Sequence, residues 1–436
     1  MESITILFVL LGVMFILLGS GVWIGLALMA VGGFAIEIFA GRPAGDAIAT
    51  TIWSSSSSWM LTALPMFIWM GDILLCSKLS EDLFRGLAPM MGRIPGGLLH
   101  TNVMGCTIFG SVSGSSAATL STVAKMTVPE LKKRNYPEPL IIGTLAGPAT
   151  LGLMIPPSII MVVYGVMTNE SIAAINVAGV IPGLVLALLF SGYIVFKTKT
   201  MKNYAPTAEP HSTFGEKLWA SRRLIPVFVL LFLVIGSMFA GYATATESAA
   251  VGVAGSFFLA WMQGTLNWKS FSDSLMSATM SSAMIALILA AASGLSLAMG
   301  FLGLPEALAA WVGSLNLTAF WLIMCLLVMY IVLGCFLDGI SCVALTIAII
   351  EPMVRQAGID MIWFGIFVVL VVEMAQITPP VGFNLFVLQQ MTGHDMFKIA
   401  RWSFPQFVIM VAMVFVLIAF PALATWLPHQ MIPVRV

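Results

Sequence analysis

Apolar residues run through this chain in long stretches, with polar positions confined to short gaps between them. A helix needs about 20 such residues to cross a bilayer. Runs of that kind lie near 4–19, 21–40, 59–77, 175–197, 224–240, 244–263, 275–302 and 403–427. They are far longer than the roughly 10-residue alternating strands of an outer-membrane barrel. The pattern therefore predicts an all-α polytopic membrane protein.

Two further apolar segments are interrupted. PLIIGTLAGPATLGLMIPPSIIMVVYGVMT, residues 139–168, carries Gly147, Pro148, Gly152, Pro156 and Pro157 in its middle. Proline lacks the N–H of a helix ladder and clashes with the preceding turn. Two half-helices meeting at a break are predicted, and hydrocarbon tolerates such a break only where protein buries it or a polar cavity faces it. The device recurs at 362–390, where Pro379 and Pro380 repeat Pro156 and Pro157 at an offset of 223 residues. The same offset takes Pro129 to Pro352 and Pro182 to Pro405. Interrupted segments at matching places in two halves point to a transporter binding site.

Two re-entrant hairpins complete the pattern. GSVSGSSAAT, residues 110–119, separates apolar pieces too short to span, so a hairpin over 96–128 is expected with its tip at 110–116. A second, over 317–350, has its turn at GCFLDGIS, 334–341. An amphipathic arm, LSEDLFRGLAPMMGRIPGG (79–97), precedes the first hairpin, and LPEAL (304–308) answers it before the second. The first repeat then covers 1–197, a polar linker 198–223, and the second repeat 224–436.

Charge sets the orientation. Lys132, Lys133 and Arg134, the linker's Lys199, Lys202, Lys217, Arg222 and Arg223, and later Lys398 and Arg401, all fall on one side of the span count, the inside. The loops 168–171 and 303–316 fall outside and carry no Lys or Arg; Arg355, beside Glu351 and Asp360, is the outside exception. One half enters from outside and the other from inside. The repeats are thus expected to be inverted, with hairpins dipping from opposite faces.

Composition narrows the function. The chain has 436 residues, 60% hydrophobic and 9% charged, with zero formal net charge, so neither a soluble globule nor a nucleic-acid partner is suggested. Four scattered histidines make no metal cluster, five cysteines form no CxxC pair, and no phosphate-binding loop is present. The first run lacks a basic leader and reads as an uncleaved helix.

The candidate chemistry sits at tips and breaks. Ser113, Ser115 and Ser116, with carbonyls freed at tip one, suit a dehydrated Na⁺, although Gly110-x-x-x-Gly114 also fits a simple close helix crossing. Asp338 at tip two reads equally as an ion ligand or a helix cap. Glu373 and Gln376, ahead of Thr378, Pro379 and Pro380, either line the site or bond freed backbone groups. Gly147, Thr150 and the carbonyls before Pro156 are their first-half counterparts, and Asn384 is a further candidate. Gly114, Pro156, Pro157 and Ser158 complete the expected substrate cavity. Half-helix N-termini there favour an anionic group such as a carboxylate. Glu247 reads as a cap, and the serines 54–58 as a polar loop.

In these stretches, and in LPMFIWMGDILLCSKLSEDLF, VAGVIPGLVLAL, TESAAVG and WFGIFVVLVVEMAQITPPVGFNLFVLQ, the chain resembles the large membrane subunit of tripartite ATP-independent periplasmic (TRAP) transporters. The resemblance covers most of the chain in order. It implies an elevator-type fold of the ion-transporter superfamily and Na⁺-driven uptake of a small organic acid, such as a C4-dicarboxylate or sialic acid, across the bacterial inner membrane. It implies two partners, a small membrane subunit and a soluble periplasmic binding protein. Carried over, the family's Na⁺ sites fall at Ser113, Ser116, Gly147 and Thr150, and at Gly334, Asp338, Gly339 and Thr378. Gly21, Ala245 and Ala348 stand where the family has proline, and Asn176 where it has an apolar residue. A stand-alone Na⁺- or H⁺-coupled anion symporter is the alternative.

Overall fold

Proline, glycine and capping side chains divide the long apolar runs into helices. The computed structural model describes residues 2–40, 44–92, 94–201, 214–314 and 318–431. Residues 202–213 of the polar linker, with Lys202 and His211, lie outside the described residues, as does Arg93. Every regular element among the described residues is helical.

The chain opens with α1 (Glu2–Gly19), α2 (Ile24–Ala35), α3 (Ala44–Ser56), α4 (Ala63–Leu75) and the amphipathic α5 (Leu79–Met91). Hairpin one is α6 (Leu99–Ser113) and α7 (Ser116–Lys133). The first interrupted segment is α8 (Glu138–Ala149), the short α9 (Leu151–Met154) and α10 (Ile159–Thr168). Then come α11 (Ile172–Ala178), α12 (Val180–Thr200), α13 (Phe214–Ser221), α14 (Ile225–Phe239), α15 (Ala245–Met262), α16 (Trp268–Phe301) and α17 (Leu304–Ser314). Hairpin two is α18 (Ala319–Gly334) and α19 (Gly339–Gln356), followed by α20 (Met361–Ala375), α21 (Phe383–Thr392), α22 (Met396–Ala419) and α23 (Ala422–His429).

Three differences from the sequence reading have local causes. Only Ser57 and Ser58 of the serines 54–58 form a loop: α3 runs through Ser56, and a 54° bend separates it from the next helical segment. Ser54 and Ser55 donate their hydroxyl protons to the carbonyls of Thr51 and Ile52, which lets serine sit inside a helix. Helix α16 starts at Trp268, ahead of its apolar run, because Asn267 and Ser270 form a capping box. The first interrupted segment stays helical through Gly147 and Pro148, and its break is confined to 155–158. Glu247, by contrast, is the cap the sequence suggests, paired reciprocally with Thr244.

Two apolar cores hold the helices. The larger draws on α4 to α12, α14 to α16, and α18 to α23. Helix α20 is its centre: every residue from Phe364 to Ala375 is buried. The smaller core gathers α1, α2, α16 and α17 around Ala344 and Leu345 of α19.

Ion pairs tie loops together at the two ends. Arg355 bonds Glu170 at 3.0 Å and Glu351 at 2.8 Å, so the outside exception meets the loop at 168–171. At the other end Glu138 bridges Lys132 at 2.6 Å and His394 at 3.1 Å, and Asp82 of α5 meets Arg223 at 3.3 Å. Lys132 and His394 hold the Glu138 carboxyl below its ordinary pKa.

Candidate functional site

Hairpin one turns in a single tight step. Gly114 has φ +59°, a left-handed conformation that favours glycine, and its N–H bonds the Gly110 carbonyl. Ser115 then caps α7 by accepting from the Ala118 N–H. The Ser113 hydroxyl lies 2.8 Å from the Thr119 hydroxyl. The tip is thus narrower than 110–116. Gly110 belongs to the helix crossing, where an added Cβ would stand 2.5 Å from Gly152 Cα.

The two breaks share one construction. Pro156–Pro157 and Pro379–Pro380 are both cis. Without proline N–H groups, the carbonyls of Gly152, Leu153, Ala375 and Gln376 lose their usual i+4 donors. At break two the chain supplies substitutes: Thr378 donates both its N–H and its hydroxyl to Ala375, and the Asn384 N–H reaches Gln376. At break one the Ser158 N–H donates to Asn176 Oδ1 at 3.0 Å, and Asn176 Nδ2 donates to the Ile172 carbonyl. Break one is buried, whereas Pro380 and Val381 at break two are exposed.

Tips and breaks converge. An added Cβ on Gly114 would meet the Pro157 carbonyl at 3.2 Å, so tip one lies on break one. A Cβ on Gly334 would be 2.5 Å from Ala375 Cβ. One on Gly339 would be 3.0 Å from Val372 and 3.1 Å from Ile160, so tip two lies on the end of α20 and the start of α10. The halves join polar group to polar group as well: the Ser116 hydroxyl donates to Glu373 Oε2.

The carboxyl of Glu373 is buried, and its Oε1 has no protein partner. Asn384 is fully buried with both amide atoms unpartnered, and the Ser158 hydroxyl is likewise buried and unpartnered. Buried polar groups are nearly always bonded, so such orphans mark places where a ligand or water completes the set.

The sequence-predicted residues separate by place. Ser113, Gly114, Ser115, Ser116, Pro156, Pro157, Ser158, Glu373, Gly334 and Gly339 meet around the tips and breaks. Gln376, Thr378, Pro379, Pro380 and Asn384 form break two itself. Gly147 and Thr150 turn elsewhere: the Thr150 hydroxyl donates to the Gly147 carbonyl at 2.6 Å, and a Cβ on Gly147 would strike Gln406 of α22 at 2.5 Å. Asp338 is exposed and caps α19, accepting from the Ile340 and Ser341 N–H groups and from the Ser341 hydroxyl. Sequence reasoning missed Thr119 and did not find the role of Asn176. Only its polarity in an apolar run signalled Asn176.

Replacing Asn176 with leucine should leave the buried Ser158 N–H without an acceptor. A loss of about 1–3 kcal/mol is expected. It would be read as a lower unfolding midpoint of the detergent-solubilised protein, with alanine at exposed Ser54 as the neutral comparison.

Oxygen dominates the site: hydroxyls, carbonyls and one carboxyl. Oxygen donors suit a hard cation, and no cluster of three or more His, Cys, Asp or Glu among the described residues offers a transition-metal site. A family profile described as the tripartite ATP-independent periplasmic transporter, DctM component, matches residues 11–423. The chain is 29% identical to the C4-dicarboxylate TRAP transporter large permease protein DctM of Pseudomonas aeruginosa, over 88% of this chain and 89% of that one. It is 25% identical to the sialic acid TRAP transporter large permease protein SiaM of Vibrio cholerae, over 95% and 96% of the two chains. The solved structure of the Alcanivorax borkumensis YdaH transporter is similar in fold, with a TM-score of 0.61 at 13% identity, over 88% of this chain and 89% of that one.

Proposed function

The chain belongs to the DctM family of tripartite ATP-independent periplasmic transporters, inner-membrane transporters rather than enzymes, and from that premise we propose that it carries a small organic acid inward together with Na⁺. It is the large permease subunit. The observation that carries the ion-coupled reading is the meeting of tip one with Glu373. Serine hydroxyls, a buried carboxyl with an unpartnered oxygen and a proline break come together between the halves.

Relatives named for C4-dicarboxylates and for sialic acid support a carboxylate substrate. A carboxylate suits a place where Na⁺ supplies positive charge and a half-helix N-terminus adds its dipole. The two breaks differ in this conformation, one buried and one exposed. That asymmetry supports alternating access by inverted repeats, with the hairpin-bearing part moving as an elevator. The word tripartite supports a small membrane subunit and a periplasmic binding protein as partners.

Reconstitution into liposomes tests the partnership. Uptake is expected only when the small subunit is present and the cognate binding protein, loaded with its ligand, is added outside. Equal uptake of free ligand without the binding protein would instead identify a stand-alone symporter.

A further inference from the structure

A cavity of about 280 Å³ lies where the two apolar cores meet. Met14, Leu295 and Met299 of the smaller core form one side, and Leu326 and Ile350 of the larger core the other. Its walls are therefore α1, α2 and α16 on one hand and both arms of hairpin two on the other. Close-packed interiors leave few voids larger than a water molecule. Apolar cavities of about 150 Å³ take up benzene, and this one is nearly twice that size.

Water does not suit it. Among the described residues Thr346 is the one polar side chain in the lining. Its hydroxyl donates to the Cys342 carbonyl at 2.8 Å and stands 2.9 Å from the Tyr330 hydroxyl. A cavity water needs about 2–4 polar partners, and one hydroxyl already bonded is too few.

Hydrocarbon does suit it. Phe15, part of the lining, is 58% exposed, and Ile16 beside it 72%. On α18, Val328 and Val332 are exposed beside the lining residues Met329 and Leu333. In a membrane-spanning chain such faces meet lipid tails, which are as apolar as leucine. The cavity thus opens toward the bilayer interior between α1 and α18. Leucine and methionine dominate the wall, and flexible methionine adapts to an equally flexible guest.

We propose that this cavity is a binding site for a phospholipid acyl chain, which enters between α1 and α18 and fills the seam between hairpin two and the α1, α2 and α16 layer. The proposal goes beyond the transport reading and does not depend on it.

Photolabelling tests it. The full chain and its small subunit are placed in nanodiscs containing phosphatidylethanolamine with a diazirine at the middle of one acyl chain. After irradiation, the adducts are mapped by peptide mass spectrometry. Labels are expected on Met14 and Met299, which are buried at 5% and 2% exposure, as well as on exposed Ile16. Bulk lipid alone would reach Ile16 and leave Met299 unlabelled. Leu345→Phe, which adds bulk inside the cavity, should lower the Met299 label at least about fourfold, the weight of one methylene kept out of apolar surroundings. Leu11→Trp, at the half-buried edge of the lining, should do the same and serves if the first variant does not fold. The label on Phe232 of α14, exposed and away from the cavity, should stay constant in both. No label on Met14 and Met299, or a label that both filled variants leave unchanged, would overturn the proposal. The first result would mean that the small subunit or nothing at all covers the opening.

Discussion

Ser116→Ala should lower sodium-driven uptake at least about tenfold, whereas Ser116→Thr should keep most of it. The Ser116 hydroxyl is the side-chain partner of Glu373, and the other carboxyl oxygen already has none. Alanine leaves the whole buried carboxyl unbonded. An unsatisfied buried group costs about 1–3 kcal/mol, and more when charged, and a factor of ten corresponds to about 1.4 kcal/mol. The bond also joins the first turn of α7 to the last turn of α20, so its loss loosens one half against the other. Uptake per folded molecule is the quantity to measure, beside the unfolding midpoint. A lower midpoint with normal uptake would make the pair a structural tie only. Threonine restores the hydroxyl and should restore uptake with it.

Gly110→Ala should be the most damaging single methyl addition near the site. The added carbon would stand 2.5 Å from Gly152 Cα and 2.9 Å from its nitrogen. Both contacts are backbone, so no side-chain rotation relieves them. Overpacking of this kind costs about 1–3 kcal/mol, and here the clash also pushes hairpin one off α9. Folded yield and unfolding midpoint should both fall. Gly192→Ala is the comparison, since nothing lies within 4 Å of its added carbon. If the two variants behave alike, the close approach of hairpin one to α9 is wrong.

These two residues show how far the sequence could be read. Proline announces a break through its missing N–H, so both interruptions were legible, and the shared offset of 223 residues paired them. Serine and glycine are ambiguous, because they serve a turn, an ion site or a close crossing equally well. Gly110 proves to be crossing and Gly114 turn, a distinction that depends on Gly152, some 40 residues away in the chain. Ser54 and Ser55 misled for a related reason: their hydroxyls satisfy helix carbonyls, so α3 runs on into the serine stretch and ends only after Ser56. Asp338 could be weighed as cap or ligand from sequence alone, and the structure shows the capping bonds. The partner of Glu373 was not legible, since it lies in the other half, 257 residues away. Nor was the bond from Ser158 to Asn176, which depends on how α11 folds back over break one.

We propose that tips and breaks from two halves assemble an oxygen-lined place where Na⁺ and an acid cross together. Ligand uptake into proteoliposomes holding the chain, its small subunit and the loaded binding protein, under an imposed inward Na⁺ gradient, tests this. Accumulation above equilibrium is expected, and it should vanish when K⁺ replaces Na⁺ at the same ionic strength. Undiminished accumulation without Na⁺ would contradict it.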